Sequence, residues 1–275
     1  MSDTLTCVMV SVWLLYAERV LVASERIWYN NRQQLISKGV MDMTGIIGAM
    51  EIEVRGLIEK MTDTHTETIS GTTYTTGKIG RHECVVAQCG IGKVNAAVTT
   101  QTMMLRYHPD RIINTGIGGS TSRETHIGYV VIAENVVQHD MDTTVIGDKP
   151  GELFLPQENI VYIPCDTAMM SELQQACQDV GEANYVIGTV ATGDQFISGH
   201  DKRSRLNERF GAVACEMEGG SIGQVCRING VPFAILRAIS DSMSEEDDAV
   251  EYSTFSRMAA HKSIEIITAF LKNRG

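Results

Sequence analysis

The sequence has no basic surplus. Its 23 lysines and arginines face 34 aspartates and glutamates, a formal net charge of −11. Displacing counterions from a phosphate backbone needs clustered positive charge, so the balance argues against DNA or RNA as a partner. A small neutral or cationic ligand remains open. Paired cysteines are lacking too. The seven, Cys7, Cys84, Cys89, Cys165, Cys177, Cys215 and Cys226, are odd in number and form no CxxC. Neither a disulfide framework nor a zinc site is indicated, and free buried thiols in a reducing cytoplasm are expected. Cys215 adjoins acidic residues that oppose thiolate formation, so a structural role is assigned to it. The longest mostly apolar run, residues 5–17, is too short to span a bilayer. Internal repeats and low-complexity segments are absent.

What is present divides at residue 44. Residues 1–43 combine the apolar run with a polar patch over 30–34, and they carry no positive charge ahead of that run as a signal peptide would. They are read as an extension outside the core, beginning at an upstream start that is not used; an amphipathic membrane-associating helix is the alternative. Residues 44–275 alternate strand and helix patterns, which predicts one α/β domain with a mostly parallel sheet covered on both faces. Strands are expected over 45–50, 71–79, 82–88, 111–114, 128–137, 185–191, 212–215 and 231–236. Helices are expected over 51–61, 94–107, 167–181 and 252–272, with another through Ile222, Val225 and Cys226. Residues 147–160 read as a loop, and EEDD over 245–248 as a solvated loop or the acidic first turn of the last helix.

Two glycine-rich stretches invite a nucleotide assignment. GIGKV at 90–94 lacks the first glycine of a P-loop and the Ser or Thr after lysine, and it does not complete a dinucleotide fingerprint. TGIGG at 115–119 allows close backbone approach to a flat, uncharged group such as a nucleoside. HDMD at 139–142 has too few partners for a metal site, and a structural or surface role is expected.

The strongest chemical signal lies between Ala212 and Asp241. Two apolar runs there end in charge, one in EME at 216–218, the other in RAISD at 237–241. Strands buried on both faces read as apolar runs, and ligands sit beyond their carboxyl ends. Carboxylates and an arginine delivered there predict a site.

GIIGAMEIE at 45–53, GIGKV at 90–94, INTG at 113–116, HD at 139–140, GDQFI at 193–197, EME and RAISD resemble, in order and spacing, the bacterial 5′-methylthioadenosine/S-adenosylhomocysteine nucleosidases. The similarity covers about residues 44–274. It implies a nucleoside phosphorylase-like fold, a twisted central mixed β-sheet flanked by helices, and a cytoplasmic homodimer without cofactor or metal. The implied reaction cleaves the bond between adenine N9 and ribose C1′. Asp241 matches the acid that protonates adenine N7, oriented by Ser240. Glu218 matches the group that holds the ribose hydroxyls and stabilises the sugar cation. Glu53 matches the carboxylate that activates water, with Arg237 beside it as an organiser of the glutamates. Phe196 would stack on adenine and the Ile197 backbone would read its edge. Met217 would lie under the ribose, Met50 and Ile91 near the sugar and the 5′-thioalkyl group. Tyr252 is the match for an aromatic lid, and Thr143 stands at a position reaching the partner subunit's 5′ pocket. Ile117 and Gly118 stand where the family carries Ser and Ala, and Thr143 where an apolar residue is common.

Three rivals remain: a phosphorylase, a hydrolase of 6-amino-6-deoxyfutalosine, and a nucleoside-binding protein without catalysis. Phosphate needs arginines where this chain has Met50, Glu51, Glu53 and Asn114. A pure binder needs no acid and base about its ligand.

Overall fold

The computed structural model describes residues 43–242 and 248–273. The expected extension over 1–43 lies outside the described residues except for Met43, as does the acidic run apart from Asp248.

The chain begins with β1 (Met43–Gly48), α1 (Glu51–Ile58), β2 (Thr62–Ile69), β3 (Thr72–Ile79), β4 (His82–Gln88), α2 (Lys93–Tyr107) and β5 (Arg111–Ser120). It continues with β6 (Val130–Gln138), a 3-10 turn at Thr144–Ile146, and the short β7 (Leu153–Phe154), β8 (Asn159–Ile160) and β9 (Ile163–Pro164). Next come α3 (Thr167–Asp179), β10 (Tyr185–Thr192), α4 (His200–Phe210), β11 (Ala212–Glu216), α5 (Gly219–Asn229), β12 (Phe233–Asp241) and α6 (Asp248–Lys272).

The main sheet is mixed, in the order β11-β10-β6-β12-β5-β1-β4-β3-β2. β1 runs parallel to β4 and β5, and β12 parallel to β5, whereas β12 and β6 are antiparallel. β11 also pairs antiparallel with β5 through Ala214 and Cys215, so five strands close into a ring. Successive strand side chains face opposite sides. Ile46 accordingly packs with Val54, Leu57, Ile264 and Phe270 from α1 and α6, while Ile47 packs with Ala96, Met103, Ile222 and Cys226 from α2 and α5. Both isoleucines are fully buried, worth about 2–3 kcal/mol each.

Five expectations need correction. The sheet is mixed rather than mostly parallel, because β2–β3, β3–β4, β12–β6 and β11–β5 all pair antiparallel. The glycine stretch 115–119 is not a loop: β5 runs through it to Ser120. β12 likewise continues through the charged residues to Asp241. Its backbone groups are satisfied by ladder bonds to β5, so the charges ride on the strand rather than follow it. The 147–160 segment carries the small β7–β8 pair. β2 and α4 were not anticipated; β2 is a polar edge strand, exposed along most of its length, so no apolar alternation marks it.

Candidate active site

The cleft forms where β1, β5, β11 and β12 end. Met50, in extended conformation, caps α1, and Glu53 occupies the third helical position. From there its side chain folds back to the helix start. Glu53 Oε2 accepts the Ala49 and Met50 N–H groups at 2.7 and 2.9 Å, and Oε1 accepts Ile117 N–H at 3.0 Å. Position 116 must stay small, because a Cβ there would stand 2.6 Å from Glu53 Oε1. Burial raises the Glu53 carboxyl above its ordinary range, opposed by Arg237 and the three backbone donors.

The two glutamates of the acidic triplet have separate duties. Glu216 is saturated. Its Oε2 accepts the Glu218 and Gly219 N–H groups at 2.9 and 2.7 Å, satisfying the open amides at the start of α5. Thr192 Oγ1 donates to Glu216 Oε1, and Arg237 Nη2 bonds Glu216 Oε2. Burial would push the Glu216 carboxyl up, but Arg237 and these donors bring it below the ordinary value. Glu218 instead lines the cleft and accepts Gly92 N–H at 2.9 Å. Burial and the nearby Glu216 push its carboxyl up to about 7, despite Arg237.

Asp241 ends β12 after an irregularity. Ile239 pairs with Gly118 and Asp241 with Gly119, leaving Ser240 as an extra residue in the ladder. Such a bulge re-aims side chains. Ser240 Oγ donates to Asp241 Oδ1 at 2.6 Å, and Arg203 Nη2 bonds Asp241 Oδ2. Arg203 Nη1 also donates to the Ser120 carbonyl at 2.8 Å.

A cavity of about 110 Å³ is lined by Glu53, Glu218 and Asp241 together with Met50, Ile91, Ile117, Phe196, Ile197, Met217, Ser240 and Tyr252. Exposed Ile91 and Phe196 stand at its mouth. Tyr252 meets Phe196 edge-to-face at 5.6 Å between ring centroids, and its hydroxyl donates to Met50 Sδ at 3.3 Å. Nearly every expected site residue converges here. Two do not. Arg237 lies behind the wall, bonded to Glu216 and Asn114. Burial works against its cation, yet Glu216, Glu218 and Glu53 outweigh that and strengthen it. Thr143 precedes the 3-10 turn outside this cavity. A larger cleft of about 630 Å³ opens at the other end of β12, beside Phe233 and Asp166, away from the three carboxylates.

Asp140 braces the rim. It accepts Lys93 Nζ at 2.6 Å and Asp194 N–H at 2.9 Å, while Asp194 Oδ1 accepts Lys93 N–H at 2.8 Å. The histidine-aspartate motif therefore joins the 90–94 stretch to the 193–197 stretch, the structural role expected of it.

Arg203 was missed in the sequence. The available signal was its spacing: Arg203, Leu206 and Phe210 share the buried stripe of α4, where arginine takes a core position.

A sheet closed by β11, with carboxylates and an aromatic lining a cavity at the strand ends, is the layout of an α/β enzyme. The family model described as the phosphorylase superfamily matches residues 44–272. The chain is 38% identical over 229 residues to the 5′-methylthioadenosine/S-adenosylhomocysteine nucleosidase of Shewanella sediminis, covering 83% of this chain and 98% of that protein. The S. pneumoniae nucleosidase, solved with the transition-state inhibitor MT-ImmA, superposes with a TM-score of 0.78 at 32% identity, over 85% of this chain and all of that one. A futalosine hydrolase of Helicobacter pylori gives 0.79 at 27% identity, over 85% and 100%. The chain belongs to the phosphorylase superfamily and, within it, to the 5′-methylthioadenosine/S-adenosylhomocysteine nucleosidases.

Proposed function

We propose that the protein is an N-glycosyl hydrolase that releases adenine from 5′-methylthioadenosine and S-adenosylhomocysteine. Asp241 passes a proton to adenine N7, and the C1′–N9 electron pair leaves with the base. Glu218 grips the ribose hydroxyls and faces the cationic sugar. Glu53 takes a proton from the water that attacks C1′. Phe196 stacks on the base and Ile197 reads its edge, while Met217 supports the ribose. Met50, Ile91 and Tyr252 line the 5′ side.

The observation that carries hydrolysis over phosphorolysis is the commitment of the buried arginines. Arg237 is paired with Glu216 and Arg203 with Asp241, while the buried carboxylates Glu53, Glu218 and Asp241 line the cavity. A dianion there would meet carboxylates. The deciding experiment is adenine release from methylthioadenosine, adenosylhomocysteine and aminodeoxyfutalosine, each with and without phosphate. Turnover that requires phosphate would sink the reading, and preference for the third substrate would move the chain to the futalosine branch.

We further infer a cytoplasmic homodimer serving methionine salvage, with residues 44–275 as the nucleosidase domain and 1–43 as an extension. Val94, Val98 and Leu105 are exposed at helical spacing along α2, and Val145 and Ile146 are exposed on the 3-10 turn; exposed apolar side chains of this kind suit burial against a second copy. Thr143 adjoins Val145 and in that dimer would reach the partner's 5′ pocket. The described cysteines are all buried, and buried thiols suit a reducing compartment. Among the described residues no helix is long and apolar enough to cross a membrane.

A further inference from the structure

We propose that Arg203 is a positioning residue for the departure of adenine, holding the Asp241 carboxyl group in place and stabilising the carboxylate left when its proton moves to N7. The proposal rests on the nucleosidase reading above.

The geometry is specific. The Arg203 side chain is 1% exposed and that of Asp241 3%, so the pair lies out of solvent. The guanidinium grips two elements at once, Asp241 Oδ2 on β12 and the Ser120 carbonyl at the end of β5. Gly119 makes the room. A Cβ there would stand 2.6 Å from Arg203 Nη1 and 2.7 Å from Asp241 Oδ2. Ser240 engages the other oxygen of Asp241, so the carboxyl plane is set from both sides.

The chemistry follows from charge. In the proposed reaction Asp241 delivers a proton to N7 and ends as a carboxylate against Arg203. Transfer leaves an anion in a buried site, where an unpaired charge is costly. A guanidinium already in contact stabilises that anion without reorganisation. Arg203 also lies on α4, seven residues beyond Phe196, so it couples the segment over the base to the acid that serves the base.

The test compares two leaving groups. Adenine needs the proton from Asp241; 4-nitrophenolate, from a 4-nitrophenyl 5-methylthioriboside, leaves without one. Arg203→Met should lower kcat for methylthioadenosine about 100-fold, the lower end for general acid–base catalysis, with KM within about 3-fold. The same variant should keep nitrophenolate release within about 3-fold. Arg203→Lys, which retains the charge, should recover the adenine reaction to within about 10-fold of wild type. The ratio of the two rates does not depend on the folded fraction, so partial misfolding of the methionine variant leaves the comparison intact. Asp241→Asn should show the same selective loss. Equal loss on both substrates, or no loss on either, would overturn the assignment. Wild-type protein that releases nitrophenolate but no adenine would instead overturn the nucleosidase reading.

Discussion

Arg237 donates to Glu216 beneath the cleft, and each side chain is only 2% exposed. Removing one partner strands the other charge away from water, at a cost of about 3–5 kcal/mol. Arg237→Met should therefore lower unfolding free energy by that order in urea titrations. Glu216→Gln, which keeps an acceptor for the α5 amides but leaves the buried Arg237 cation without its carboxylate, should cost a similar amount. A stability loss below about 1 kcal/mol for Arg237→Met would contradict the view of the pair as a buried foundation.

Asp241→Asn preserves size while removing the transferable proton. Adenine release should fall by about 10²- to 10⁴-fold with the far-ultraviolet circular dichroism spectrum unchanged. Full activity in the variant would remove Asp241 from its role.

Glu53→Gln keeps acceptors for only part of the Ala49, Met50 and Ile117 donor set and cannot take a proton from water. Hydrolysis should stop while methylthioadenosine still binds, which calorimetry with the inactive variant would show. Loss of binding in parallel with turnover would recast Glu53 as a structural residue.

Glu218 supplies a pH test of stability. Its carboxyl is raised from 4.5 to about 7 in the folded protein. The folded chain thus holds a proton that the unfolded chain releases first. The stabilisation is complete below pH 4.5 and is lost as pH rises through about 7. Glu218→Gln should raise the melting temperature at pH 8 and leave it nearly unchanged at pH 4. An equal shift at both values would show that burial and Glu216 do not act on this carboxylate as described.

Much of this site was legible because strand ends mark themselves. The apolar run before Glu216 stops where the cleft begins, and the run before Arg237 leads along β12 to Asp241 at its end. Glu53 was legible only through the family resemblance of the stretch at 45–53. Where the reading failed, tertiary contacts decided the outcome. Glycines at 115–119 suggest a turn by local preference, yet β12 and β11 flank them and hold them in a ladder. Their smallness serves the Glu53 and Arg203 side chains that cross them. α4 is rich in charge, and its narrow buried stripe of Arg203, Leu206 and Phe210 is easily taken for a solvated segment. The bulge at Ser240 depends on register with Gly118 and Gly119, which no local pattern encodes.

The ring closed by β11 on β5 also governs how the protein reaches its working form. Glu53 and Asp241 lie at opposite ends of the domain sequence, and both lean on residues of β5 or its neighbours. No hairpin or helix can assemble them alone. Non-local pairing of this kind forms late and slowly. After dilution from denaturant, helical signal should return before adenine-releasing activity does. Catalysis would then report completion of the last strand pairing, a built-in readout of the native state.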